Sequence, residues 1–137
     1  MATWDDVRRL ALALPETKES PLHGQTAWKV KDKLFVWERP LRKGDLAALG
    51  DAVPTGAILG ARTEHQGAKF ALIEEQPEIY FTIPHFEGYA AVLVRLDVIS
   101  VKELEELIVD AWLARAPRKL ADSYLQSAPP WRPPTDQ

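Results

Sequence analysis

Cysteine is missing from all 137 residues. Its absence excludes disulfides, thiolate nucleophiles and cysteine-ligated zinc or iron–sulfur sites. It agrees with a reducing, cytoplasmic setting, which is the location expected. A basic excess is missing too. Seventeen lysines and arginines stand against 20 aspartates and glutamates, a net charge of −3. Non-specific DNA binders usually carry surplus positive charge, so a nucleic-acid role here needs a local patch. No apolar run is long enough to span a bilayer, and no membrane association is expected. The opening MATWDDVRRL carries acids early and has no extended apolar core, so it does not read as a signal peptide.

Signatures of catalysis are equally sparse. His23, His65 and His85 fall in three separate loops, none with an i, i+4 partner or a nearby acid in a ligand pattern. No serine sits in a Gly-x-Ser-x-Gly elbow. Glu74 and Glu75 are adjacent on an expected helix and point apart, as do Glu105 and Glu106. The segment GAILGA (56–61) lacks the Lys-Ser/Thr of a phosphate loop and the dinucleotide fingerprint. The expectation is a non-enzymatic protein without metal or cofactor.

What is present describes a small globular domain. Apolar residues make up 46% and charged residues 27% of the chain. At this length a chain buries roughly two thirds of its unfolded surface. Thr3 suits a helix N-cap, and Trp4, Val7, Ala11 and Leu14 recur at helical spacing, so a helix is expected over 4–13, stopped by Pro15. PETKESPLHG (15–24) reads as a loop. Trp28 and Val30 alternate with Lys29 and Lys31, and LFVWE returns as a second strand after a turn at Asp32-Lys33. Leu46, Ala47 and Leu49 suggest a short helix ended by Gly50, and AILGAR (57–62) a further strand.

In GAKFALIEEQP (67–77), Phe70, Ile73 and Glu74 have helical spacing, with Pro77 as the stop. EIYFTI and YAAVLVRL are two more strands. The first would place Ile79, Phe81 and Ile83 on one face; the second is apolar on both faces, as a covered strand is. Ser100 with Glu103 forms a capping box ahead of a helix whose buried stripe is Leu104, Leu107, Ile108, Ala111 and Trp112. A last short helix starts at Pro117, with Leu120 and Tyr124 on its inner face. One domain over 1–125 is expected, followed by a Pro-rich, flexible tail over 126–137.

Two groups of residues could carry binding. Lys29, Lys31, Lys33, Arg39, Arg42 and Lys43 could line one edge of a hairpin wing and contact phosphates. They could equally be a solvated face whose lysines block edge-to-edge pairing, since Asp32, Glu38 and Asp45 are interleaved. The second group surrounds PHFEG (84–88). That segment could be a plain turn using Pro84 and Gly88. It could also be a pocket rim, with His85 donating to a ligand and Tyr89 or a tryptophan stacking on it. Trp37, His85, Phe86 and Tyr89 would form that aromatic surface. Arg115, Arg118 and Lys119 read as complements to a helix end.

LALALPETKESPLHGQTAWKVKDKLFVW (10–37), YFTIPHFEGYAAVLVRL (80–96) and the late acidic helix ending at a tryptophan together resemble the MmcQ/YjbR-like proteins. The resemblance runs over about residues 4 to 125. It implies an α+β fold, with an antiparallel sheet packed against N-terminal and C-terminal helices, similar to CyaY and to type III secretion chaperones. It also implies a DNA-binding module, duplex DNA being the partner, and brings no catalytic set. In many relatives the loop matching 83–86 reads basic-basic-His-Trp; here it is Ile83-Pro84-His85-Phe86. The alternative function is a module that binds a protein or small ligand through the aromatic surface of the 82–89 loop.

Overall fold

Thr3 caps the first helix reciprocally. Its hydroxyl accepts from the backbone N–H of Asp6, and the Asp6 carboxylate accepts from the Thr3 N–H at 2.9 Å. That backbone donor, with help from Thr3 Oγ1 and Arg9, holds the Asp6 carboxyl below its usual range. A computed structural model of the chain describes residues 2–22, 24–50 and 56–126. Its helices are α1 (Trp4–Leu12), α2 (Lys43–Leu49), α3 (Gln66–Glu75), α4 (Val101–Arg115) and α5 (Arg118–Gln126). Its strands are β1 (Thr17–Leu22), β2 (Gln25–Val30), β3 (Lys33–Glu38), β4 (Ile58–Arg62), β5 (Tyr80–Phe81) and β6 (Ala91–Arg95). The six strands form one sheet in the order β1-β2-β3-β4-β6-β5, and every neighbouring pair is antiparallel. The fold is α+β, as expected. No helix among the described residues is long and apolar enough to cross a membrane.

Both faces of the sheet are buried. On one face Trp28, Val36, Leu59, Ala61, Val92 and Val94 meet Val7 and Ala11 of α1 and Leu104, Ile108, Ala111 and Trp112 of α4. On the other, Ala27, Trp37, Ile58, Ala91 and Leu93 are covered by Ile83 and Phe86 from the segment between β5 and β6. This explains the two-sided apolarity of β6: its alternate residues feed two cores. A bulge adds Phe35 to β3 opposite Trp28 and Lys29, so Phe35 and Val36 both join the helical-side core.

Several expectations need correction. Residues 17–22 are not loop but the edge strand β1. Its side chains are all exposed or half-buried, and Pro21 suits an edge that needs no further partner. The β2–β3 turn is Lys31-Asp32, one residue earlier than expected. Both residues have positive φ, +49° and +68°, as the tight two-residue hairpin turn demands. β5 is only two residues long, so Ile79 and Ile83 do not share a face. Ile79 enters the helical-side core, while Ile83 packs in the opposite one.

Ser100 does cap α4, accepting from the Glu103 N–H at 3.1 Å, but Glu103 does not return the bond. Its carboxylate instead accepts from Tyr80 Oη and Gln76 Nε2, both at 2.6 Å. Burial, then that carboxylate, pushes the Tyr80 phenol far up, so it stays a donor. α3 forms as expected and Ile73 packs against the helical-side core, but Phe70 is 52% exposed and Lys69 is buried. His65 caps that helix, its Nδ1 accepting from the Ala68 N–H at 3.0 Å. His23 and residues 127–137 of the expected tail lie outside the described residues; Gln126 ends α5.

Candidate functional site

The residues singled out around PHFEG do converge, together with arginines from other elements. After β5 the chain leaves the sheet and turns through a 3₁₀ segment, Pro84–Phe86. Phe86 is buried against Trp37, ring centroids 6.1 Å apart, while His85 meets the Phe86 ring edge-on at 5.0 Å. Tyr89 follows, 55% exposed. Beside this loop lies a concave groove of about 460 Å³. Trp37 and Phe86 form its floor, His85 and Tyr89 its rim, and four arginines line it: Arg39, Arg42, Arg62 and Arg115.

The loop is fixed from beneath by Lys69. Its ammonium donates to the carbonyl of Phe86 at 2.8 Å and to that of Tyr89 at 3.0 Å. Burial lowers the Lys69 pKa, opposed in part by the Glu87 charge. Gly60 fixes the floor. It pairs with Trp37 across β3 and β4, and the indole lies directly over it. A Cβ at residue 60 would sit 2.6 Å from Trp37 Cζ2 and 2.7 Å from Nε1. Gly60→Ala is therefore expected to displace the indole and cost about 1–3 kcal/mol in urea unfolding. A variant as stable as the wild type, with unchanged tryptophan fluorescence, would contradict this packing.

The four arginines differ in their surroundings. Arg39 is buried and pairs with Asp45 at 3.0 Å; it also donates to the Pro40 carbonyl and lies over the Phe86 ring at 5.4 Å. Its charge is neutralised inside the protein. Arg42 is exposed at the N-cap of α2, with its backbone N–H on Asp45. Arg62, at the end of β4, and Arg115, at the end of α4, are half-buried. Their Nε atoms are enclosed and have no hydrogen-bond partner among the described residues. Neither has an ion-pair partner there. The Arg62 guanidinium lies over the Tyr89 ring, 5.8 Å from its centroid. Burial lowers the Arg62 pKa, and the neighbouring Arg115 charge lowers it further. The one carboxylate lining the groove among the described residues, Glu38, is engaged by the Thr26 N–H at 2.7 Å.

The hairpin basics do not form one edge. Lys31 and Lys33 are exposed at the β2–β3 turn, and Lys31 reaches Glu16 at 3.5 Å. Lys29 is half-buried beside Lys18 of β1. Arg39, Arg42 and Lys43 lie beyond the other end of β3, roughly 17 Å of strand away. Arg39, expected to face solvent, is buried and paired with Asp45 of α2. Trp37, expected on an open aromatic surface, is buried because it covers Gly60. Arg115, read as a helix-end complement, lines the groove, and so does Arg62, the last residue of β4 and no candidate by its sequence context.

A second groove, of about 730 Å³, runs between α3 and α4 and is lined by Tyr80, Glu103, Glu106, Asp110 and Leu113. Arg62 borders both grooves. Among the described residues no group of three or more His, Asp or Glu could hold a metal ion.

The family model YjbR matches residues 12–114, which include β1 to β6 and nearly all of α4. The chain belongs to the YjbR family. Two mycobacterial proteins are 52% identical over 131 residues, spanning 93% of this chain and 99% of theirs: uncharacterized protein Rv2570 of Mycobacterium tuberculosis and uncharacterized protein Mb2600 of Mycobacterium bovis. The crystal structure of Deinococcus radiodurans protein DR2400, with a DUF419 domain, superposes with a TM-score of 0.61 over 82% of this chain and 78% of that one. At 21% identity that likeness speaks to the YjbR fold alone.

Proposed function

We propose that this YjbR protein is a binding module rather than an enzyme, and that its ligand is an anion held in the arginine groove. One observation carries the reading: Arg62 and Arg115 bring two guanidinium groups into one concavity, and neither has an ion-pair partner among the described residues. Half-buried, unpaired charge is costly, and a bound anion offsets the cost with charge-assisted hydrogen bonds. Guanidinium groups match phosphate and carboxylate oxygens in geometry. The loop bearing His85 and Tyr89 is held ready by Lys69, so little ordering is needed on binding.

Titration with inorganic phosphate in a calorimeter tests this. Binding is expected, and Arg62→Gln and Arg115→Gln should each weaken it about tenfold or more. Wild-type protein that takes up no phosphate at low salt would refute the reading.

Duplex DNA is the second reading, through Lys29, Lys31, Lys33, Arg42 and Lys43. The exposure of Lys31, Lys33, Arg42 and Lys43 favours it. The acidic net charge and the Lys31–Glu16 pair work against it. Fluorescence anisotropy with a labelled duplex separates the two. Affinity that falls steeply with salt, and with Lys31→Ala and Lys33→Ala, belongs to the hairpin. Affinity that responds to Arg62→Gln alone belongs to the groove.

A further inference from the structure

We propose that the ligand of the arginine groove is a small phosphate monoester bearing a flat ring, of the size and chemistry of a nucleoside monophosphate. The inference rests on the anion-binding reading above and adds the identity of both halves of the ligand.

The charge in the groove selects the first half. Arg39 is matched by Asp45, and Glu38, the carboxylate of the described lining, offsets one of the three remaining arginine charges. A net of two positive charges then remains in one place, and Arg62 and Arg115 have no ion-pair partner among the described residues. A carboxylate would satisfy one of them. A phosphate monoester is close to a dianion at neutral pH, with three terminal oxygens, and satisfies both. Guanidinium forks also suit those oxygens in pairs.

The surroundings select the second half. Tyr89 is among the most exposed large apolar side chains of the molecule and stands on the groove rim next to Arg62. Its phenol ring can take a flat ring stacked on it, as aromatic side chains do for single bases. His85, exposed on the same rim, offers a ring nitrogen to polar ring atoms. Phe86 below is locked by Trp37 and cannot swing out to fill the space. The groove volume, about 460 Å³, lies within the roughly 300–1,000 Å³ of small-ligand pockets. That volume suits one such molecule, not a duplex.

The experiment compares inorganic phosphate, ribose 5-phosphate, adenosine and adenosine 5′-monophosphate by calorimetry at physiological salt, on the full chain. Adenosine 5′-monophosphate is expected to bind about tenfold more tightly than inorganic phosphate or ribose 5-phosphate. Tyr89→Ala should remove that margin and bring the three phosphates together. Thermal melts of Tyr89→Ala and Arg62→Gln, expected to stay near the wild-type midpoint, verify that both variants fold. If all three phosphates bind equally and still respond to Arg62→Gln, the ring half is wrong while the anion reading stands. If none binds, both fail. A short single-stranded oligonucleotide that outcompetes the mononucleotide with a steep salt dependence would also overturn the proposal, in favour of a nucleic-acid partner.

Discussion

Lys69→Met is expected to lower the unfolding free energy by about 3 kcal/mol in urea titrations. Methionine keeps the stem length and apolar packing, so the change removes mainly the charge and its two hydrogen bonds. Each bond from a charged donor contributes about 1.5–3 kcal/mol. Lys69 is 1% exposed, and the cost of burying its charge cancels part of that gain. The Tyr89 carbonyl would lose its Lys69 donor, the Phe86 carbonyl would keep only the Tyr89 N–H at 3.0 Å, and the groove rim would loosen. Phosphate affinity should fall with stability, although Lys69 does not line the groove.

The pH dependence has a definite sign. Burial holds the folded Lys69 below its ordinary 10.5, so the unfolded chain binds the proton more tightly. The wild-type stability contributed by this group therefore rises as pH climbs through the lowered folded value towards 10.5. The gap between wild type and Lys69→Met should widen over that alkaline window. A stability loss under about 1 kcal/mol, or a gap that narrows, would contradict the role given to Lys69.

Trp112→Ala is expected to have the largest effect on stability, about 4 kcal/mol. The side chain is fully buried on α4, where it packs on Tyr124 of α5 with ring centroids 5.0 Å apart. Its indole N–H donates to the Pro15 carbonyl at 3.1 Å, across 97 residues of sequence. One residue thus ties α4 to α5 and to the segment leaving α1. Removing it leaves a cavity and a Pro15 carbonyl held only by the Thr17 hydroxyl at 3.4 Å. Since domains of this kind have about 5–15 kcal/mol in total, the variant should be largely unfolded at modest urea. A midpoint close to that of the wild type would show that the helices are held together by other contacts.

The strongly periodic elements were legible in the sequence because one physical term dominates each. Thr3 before an amphipathic run defines α1, and Leu104, Leu107, Ile108, Ala111 and Trp112 define the buried face of α4. Elements where two terms compete were not legible. β1 is an edge strand whose backbone pairs on one side only, so its side chains need no alternation and its Pro and Ser read as loop. In α3 the packed residue is a lysine, which hydropathy places outside; its reason is two carbonyls 17 and 20 residues away in sequence. The aromatic half of the site was legible from local crowding around PHFEG. The arginine half was not: Arg62 and Arg115 are 53 positions apart by number, and only the sheet order and the length of α4 bring them together.

The most direct test of the groove is nuclear magnetic resonance of the arginine side chains during titration with inorganic phosphate. The Nε–H signals of Arg62 and Arg115 are expected to shift together and saturate, with the Tyr89 ring following. Shifts confined to the lysines of the β2–β3 turn, with both arginines unmoved, would contradict the groove reading.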